Sequence, residues 1–227
     1  TKHYQDRVTL PGSMLTNDKG EKPSLTTPWI GSIYDSSYYH NPVMAPYRRK
    51  NNIKFPFFLT PNRHYVGTAW YARKVTVPRD WKGQRVVLFM ERPHIETTVF
   101  VNGQQAGHRQ SLSVPHEYDI TPYIIYGGDN TLEVEVYNGN DHVGVGQDSH
   151  SVTDQTQGDW NGIVGRLELQ AHPMAGIIGM TTIPNIKDKT VRVQLSFQGR
   201  SRHKVRFSLW PNDLQSVVQV SDSVYDL

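Results

Sequence analysis

The part of the chain best supplied with groups that could handle a small polar ligand is residues 150–163, HSVTDQTQGDWNGI in one-letter code. It carries acids (Asp154, Asp159), amides (Gln155, Gln157, Asn161), hydroxyls (Thr153, Thr156) and one indole (Trp160). Sugar hydroxyls are read by planar carboxylate and amide groups while an aromatic ring covers the apolar face of the pyranose, and this stretch offers both. The same composition suits a long loop capped by a buried tryptophan, and both readings stand at this level. Glycoside hydrolysis needs two acids held at a set separation across a cleft. The spacing of Asp148, Asp154 and Asp159 gives no sign of such a pair.

Other chemistries are excluded more directly. The chain has no cysteine, which removes disulfides, thiolate zinc sites and thiol nucleophiles. It contains no Gly-x-Ser-x-Gly elbow and no phosphate-binding loop, and no cofactor is expected. His116-Glu117 is not followed by a histidine at metalloprotease spacing. Asn138-Gly139-Asn140-Asp141 has oxygen ligands that suit calcium but lacks the full loop pattern. It reads first as a turn, and metal binding stays open. The formal net charge of +3 is too small to point to nucleic acid or to a membrane surface, and neither is expected as a partner. That charge is unevenly placed: residues 111–165 hold nine acids and no Lys or Arg, whereas Arg192, Arg200, Arg202, Lys204 and Arg206 lie near the far end.

The elements that must position these groups read as strands. Trp70, Arg73, Val75 and Val77 lie in a β-branched and aromatic run stopped by Pro78. Residues 85–89 and 97–101 form two more runs, and the second ends in Asn102-Gly103, a strong hairpin signal. In 131–137, Leu132, Val134 and Val136 alternate with Glu133 and Glu135, which predicts a strand with one wet face. Residues 166–170 repeat that scheme, and only 119–126 could form a turn of helix. Residues 1–60 predict a wrapped lead-in with short strands, anchored by Trp29, Tyr34, Tyr38, Tyr39 and Tyr47. Past a boundary near His172-Pro173, residues 176–180, 190–197, 204–210 and 215–220 are further strand candidates. The chain is expected to be all-β, with one sandwich over 1–172 and an incomplete one over 173–227.

The order of these phrases resembles the N-terminal part of the family-two glycoside hydrolases, the β-galactosidase, β-glucuronidase and β-mannosidase group. Tyr65-Val66-Gly67-Thr68-Ala69-Trp70-Tyr71-Ala72-Arg73 is similar to the opening strand of its first domain. Leu88-Phe89-Met90-Glu91-Arg92 and Thr97-Thr98-Val99-Phe100-Val101-Asn102-Gly103-Gln104-Gln105-Ala106-Gly107 resemble its next strands and hairpin. Pro115-His116-Glu117-Tyr118-Asp119-Ile120-Thr121 resembles its polar turn, and Gly128-Asp129-Asn130-Thr131-Leu132 the turn into its next strand. Asp159-Trp160-Asn161-Gly162-Ile163-Val164-Gly165-Arg166 resembles its closing segment. The likeness covers residues 60–172, and 173–227 resemble less closely the start of the immunoglobulin-like second domain.

The resemblance implies a galactose-binding-like jelly roll followed by part of an immunoglobulin-like sandwich. It implies that the catalytic glutamates sit on a (β/α)₈ barrel that this chain does not hold, since a barrel needs about 250 residues. No catalytic residue is therefore expected here, and the partners implied are a β-glycoside, the barrel of the same polypeptide and, in a structural reading, a second copy of the chain. In relatives, loops of the first domain reach the barrel's mouth. The matching positions are Asn62, Arg63 and His64, then Thr156, Gln157, Asp159, Trp160 and Asn161. An exported location, periplasmic or extracellular, is expected from the family. An independent carbohydrate-binding module and an oligomerising structural domain are the alternatives.

Overall fold

The computed structural model describes residues 4, 6–30, 36–55, 60–146, 149–150, 152 and 159–199, and the strands 204–207, 216–219 and 224–226. The chain divides into two compact units, Thr1–Lys82 with Val86–Ala171, and Gly83–Arg85 with His172–Leu227.

The first unit is a sandwich of two four-stranded sheets. One has the order β1 (Gly12–Ser13), β8 (Gly162–His172), β3 (Arg85–His94), β6 (His116–Asp119). The other has the order β2 (Thr68–Thr76), β7 (Asp129–Tyr137), β4 (Glu96–Val101), β5 (Gln104–Gln110). The period of two decides which side chains meet. Along β7, Leu132, Val134 and Val136 are buried while Glu133, Glu135 and Tyr137 stay half-exposed on the outer face. Val99 and Val101 of β4 and Tyr71 of β2 join them from the same sheet, and Val86, Leu88, Met90 and Ile163 close the core from the other. Truncating such a side chain costs about 2–5 kcal/mol.

The Asn102-Gly103 turn forms, with Asn102 in the left-handed region at φ 52°. Its amide is also a lock between turns. Asn102 Nδ2 donates to Asn130 Oδ1 (2.9 Å) and Asn102 Oδ1 accepts from Thr131 N (2.9 Å). The return strand β5 escapes a pattern search because it is an edge strand, largely exposed along its length and without a repeating apolar position.

Residues 1–60 differ from the expected series of short strands. Among the described residues they hold one two-residue strand, β1, and otherwise 3₁₀ turns and one short helix, α1 (Ser37–His40). The physical reason is local. Asn41 Oδ1 accepts from Val43 N (2.9 Å), and Pro42 and Pro46 remove donors a ladder would need. The aromatic anchoring is real: Tyr38 and Phe55 form a small buried core edged by Trp29, Met44 and Ile53. Tyr34 lies outside the described residues, and Tyr39 and Tyr47 remain exposed. The turn of helix expected within 119–126 is a 3₁₀ turn at Thr121–Tyr123.

In the second unit, β9 (Gly176–Asn185), β10 (Thr190–Gln198) and β13 (Val224–Asp226) form one sheet in the order β13-β10-β9, and β11 (Lys204–Phe207) pairs with β12 (Ser216–Gln219). Val193 and Leu195 are its buried side chains on β10. Residues 208–210, 215 and 220 of the expected strands lie outside the described residues.

A histidine sits fully inside the sandwich. His116 is buried on β6, with Nδ1 2.7 Å from Thr97 Oγ1, which also meets the Tyr118 hydroxyl at 2.6 Å. Burial, with Arg109 nearby, pushes the His116 pKa down to about 4 from 6.5, against a smaller pull from the Ser111 backbone. The unfolded chain therefore takes up this proton near pH 6.5 and the folded chain only near 4. Stability from this site is complete above the first value and drains away as pH falls towards the second, by on the order of 2–3 kcal/mol. Urea unfolding at pH 7 and pH 4.5 should register that loss, and a non-titrating His116→Gln variant should flatten the slope.

Candidate functional site

The end of the sandwich where β2 begins, β7 ends and β8 begins is built around three buried polar side chains: Asn138, Asp159 and Asn161. Asn138 follows directly on β7. Its Nδ2 donates to Asp159 Oδ2 (2.6 Å) and to the Tyr65 carbonyl (2.8 Å), and its Oδ1 accepts from Gly67 N (2.8 Å). Asn161, just before β8, donates from Nδ2 to the carbonyls of Gly67 (3.0 Å) and Val136 (2.9 Å). Its Oδ1 accepts from the Tyr71 hydroxyl (2.9 Å), and its own carbonyl accepts from Met14 N (2.7 Å). Burial pushes the Tyr71 hydroxyl's pKa up, so it stays a donor.

Gly67 is the hinge of this arrangement. Its φ of 137° is open to glycine and strained for other residues, and both its peptide groups are engaged by the two asparagines. Gly162 serves a different need. A Cβ there would lie 2.4 Å from the Gly12 carbonyl oxygen, so only glycine lets β1 approach β8.

Asp159 has its second oxygen 3.1 Å from His94 Nε2, which donates to it. The His94 ring in turn stacks on Trp160 with centroids 4.6 Å apart and planes 21° apart. His94 is buried and Trp160 half-buried, so the indole is the part of this assembly that faces outward. A half-exposed ring held rigid from behind can cover the apolar face of a sugar.

The residues singled out from the sequence take three kinds of place. Asp159 and Asn161 hold the loop together from inside, and Trp160 offers its ring. Asn62 is exposed, and Arg63 forms a two-pronged pair with Asp18, Nε to Oδ1 at 2.6 Å and the second prong at 3.0 Å. The Arg63 guanidinium holds the Asp18 carboxyl below its usual pKa. His64 is buried edge-on to Trp29 at 5.0 Å and pairs backbone to backbone with Glu21. Thr156 and Gln157 lie outside the described residues, as do Asp148 and Asp154. The segment after His64 and the segment 159–161 are brought together through Asn138, at the Tyr65 carbonyl and Gly67.

Sequence reasoning missed Asn138 and His94. Asn138 is hidden in what reads as an ordinary turn; the signal available is its place two residues past Val136, in phase with the inward positions of an alternating strand. Among the described residues no group of three or more His, Asp or Glu is arranged to hold a metal ion.

Known proteins place this architecture. The family model for the glycosyl hydrolases family 2 sugar binding domain matches residues 6–173. A β-glucuronidase of Formosa agariphila is 34% identical over 77 residues, 34% of this chain and 8% of that protein. A β-galactosidase of Priestia megaterium is 31% identical over 124 residues, 55% of this chain and 12% of that protein. The chain thus spans a small fraction of the curated relatives it matches. The solved β-glucuronidase of Bifidobacterium dentium, in complex with coumarin-3-O-glucuronide, superposes with a TM-score of 0.53 at 20% identity, over 72% of this chain and 33% of that one. At that identity the likeness is one of fold.

Asp159→Ala should leave the Asn138 amide and the His94 ring facing a buried gap, costing on the order of 2–3 kcal/mol of unfolding free energy. Asp159→Asn can still accept from Asn138 and donate to the other His94 tautomer, and should cost about 1 kcal/mol or less. Equal losses for both variants in a denaturant titration would mean that the charge, and not the hydrogen-bonded shape, is what matters.

Proposed function

The chain belongs to the sugar binding domain family of the family 2 glycosyl hydrolases, and on that premise we propose that it is the non-catalytic N-terminal region of a β-galactosidase-like glycosidase. In this reading a (β/α)₈ barrel of the same polypeptide carries the catalytic acids. The jelly roll supports that barrel and lends it one wall of the pocket for the terminal sugar of a β-glycoside.

The observation that carries the reading is the convergence of the 65–67 and 159–161 segments on Asn138, with the Trp160 ring braced on His94 and turned outward. A wall of this kind works by orientation. Holding a sugar in a reactive pose removes entropy that the reaction would otherwise lose at the barrier, and small misplacements cost large factors in rate. Supporting context comes from the relatives: the matched segment makes up 8% and 12% of two glycosidases, so most of each of those proteins lies outside it.

The expected outcome is that the chain alone hydrolyses no aryl β-galactoside, β-glucuronide or β-mannoside. In the whole polypeptide, Trp160→Ala should lower kcat/KM for the preferred glycoside by about 10-fold or more. Its unfolding free energy should fall by only about 0.5–1.5 kcal/mol, the worth of one ring pair. Unchanged kinetics would take Trp160 out of the site, and tight sugar binding by the chain alone would favour an independent binding module.

A further inference from the structure

The outer face of the β2-β7-β4-β5 sheet carries a second constellation, outside the buried core. Side chains across this face align in register. Thr68, Tyr137 and Glu96 form one row, Trp70, Glu135, Thr98 and His108 the next, and Ala72, Glu133 and Phe100 the third. Between the first two rows lies a cavity of about 270 Å³ lined by Thr68, Glu96, Thr98, Glu135, Tyr137 and His142.

Its walls are braced. Glu96 receives His108 Nε2 at 2.8 Å and His142 Nδ1 at 2.9 Å, one on each carboxylate oxygen. His142 folds back from the segment after β7, its ring 5.1 Å from that of Tyr137, and Gln110 donates to its carbonyl. Burial works against the charge on Glu96, but the two histidines outweigh it and hold its pKa below the usual carboxylate value.

Two neighbouring carboxylates on the same side of the sheet already accept hydroxyl groups from the chain itself. Tyr4 donates to Glu133, and Tyr137 donates to Asp141 Oδ1 at 2.6 Å. Glu135, between them, has no hydrogen-bond partner among the described residues, and neither do the Thr68 and Thr98 hydroxyls. Beside Glu135 across the strands lie the half-exposed rings of Trp70 and Phe100, with centroids 5.6 Å apart and planes inclined at 38°.

A vacant carboxylate with two hydroxyls beside a pair of rings has the complement of a glycan: vicinal hydroxyls for the carboxylate, and C–H faces for the rings. Among the described residues the cavity is lined by two glutamates and by no Lys or Arg, and the one histidine there, His142, whose pKa Glu96 and Asp141 raise, already spends its Nδ1 proton on Glu96, so the charge balance at Glu135 disfavours an anionic sugar. We propose that this sheet face is a binding site for a neutral glycan chain, with Glu135 and Thr98 as its hydrogen-bonding groups and Trp70 and Phe100 as its stacking platform. The site does not depend on the role assigned to Trp160, whose ring belongs to the β8 side of the sandwich end.

The test is calorimetric titration of the full chain with cellotetraose, β-1,4-galactotetraose, mannotetraose and xylotetraose, and with the C6-carboxylated form of cellotetraose as the anionic probe. At least one neutral tetrasaccharide should bind with a Kd below about 1 mM, and the carboxylated probe should not. Glu135→Gln and Trp70→Ala should each weaken binding at least about 10-fold, with Trp160→Ala leaving it unchanged. The Glu135→Gln variant keeps the size of a half-exposed side chain, so its far-ultraviolet circular dichroism and melting temperature should match the parent. No binding of any neutral probe would overturn the proposal, as would equal binding of the carboxylated one. Binding lost with Trp160→Ala but kept with Glu135→Gln would overturn it too, and would move the sugar to the loop end described above.

Discussion

The side-chain amide of Asn138 joins three stretches of chain that are remote in sequence. It spends both of its polar atoms on the backbone around Gly67 and on the Asp159 carboxylate. An amide so placed cannot be replaced by an apolar group of the same shape without stranding a buried backbone donor, a backbone carbonyl and a buried carboxylate. That asymmetry makes the network a specificity device more than a source of net stability. It admits one arrangement of the sandwich end, and the orientation of Trp160 follows from that arrangement through His94.

The sandwich beneath it is governed by plain burial. The alternation along β7, β4 and the inward half of β3 sends one set of side chains into a shared core and leaves the other set facing out. Of the strands in this sandwich β3 is the one buried on both faces among the described residues, and there Phe89 is shielded by the Arg166 guanidinium, 4.8 Å from the ring centroid. The lead-in segment solves its own problem separately. Too rich in turn formers to extend a sheet, it collects Tyr38 and Phe55 into a second small core and contributes just two residues, Gly12 and Ser13, to the ladder.

The two surfaces proposed to face sugar use the same chemistry in different ways. At the sandwich end the polar groups are consumed internally, so that a ring is offered with its position locked. On the sheet face the braced groups surround Glu135, which is left to bind. The stretch without Lys or Arg, residues 111–165, supplies Glu133 and Glu135 to that face, and the register with β4 adds Glu96. The resulting acidity, at a place that the sequence marks only as the wet side of a strand, is what the proposed selection against anionic sugars rests on.

The residues themselves determine the all-β class, most of the strands, the hairpin at Asn102 and the family, because each rests on local chemistry: a period of two, a turn that asparagine and glycine tolerate, and phrases in a set order. They also single out Asp159, Trp160 and Asn161 as unusual. What they leave undecided is which of these acts and which supports. Asp159 and Asn161 read as sugar ligands by type, and become internal ties once β7 and the Gly67 turn are folded against them. His94 reads as the end of a strand, and becomes the backing of Trp160 only through a contact 66 residues away. The rows that pair Glu135 with Trp70 and Thr98 come from strands joined by long connections. Pattern along a chain is set by neighbours within a few residues, whereas a site is set by which strands lie side by side. That choice belongs to the tertiary structure, because it is made by burying all the inward faces at once.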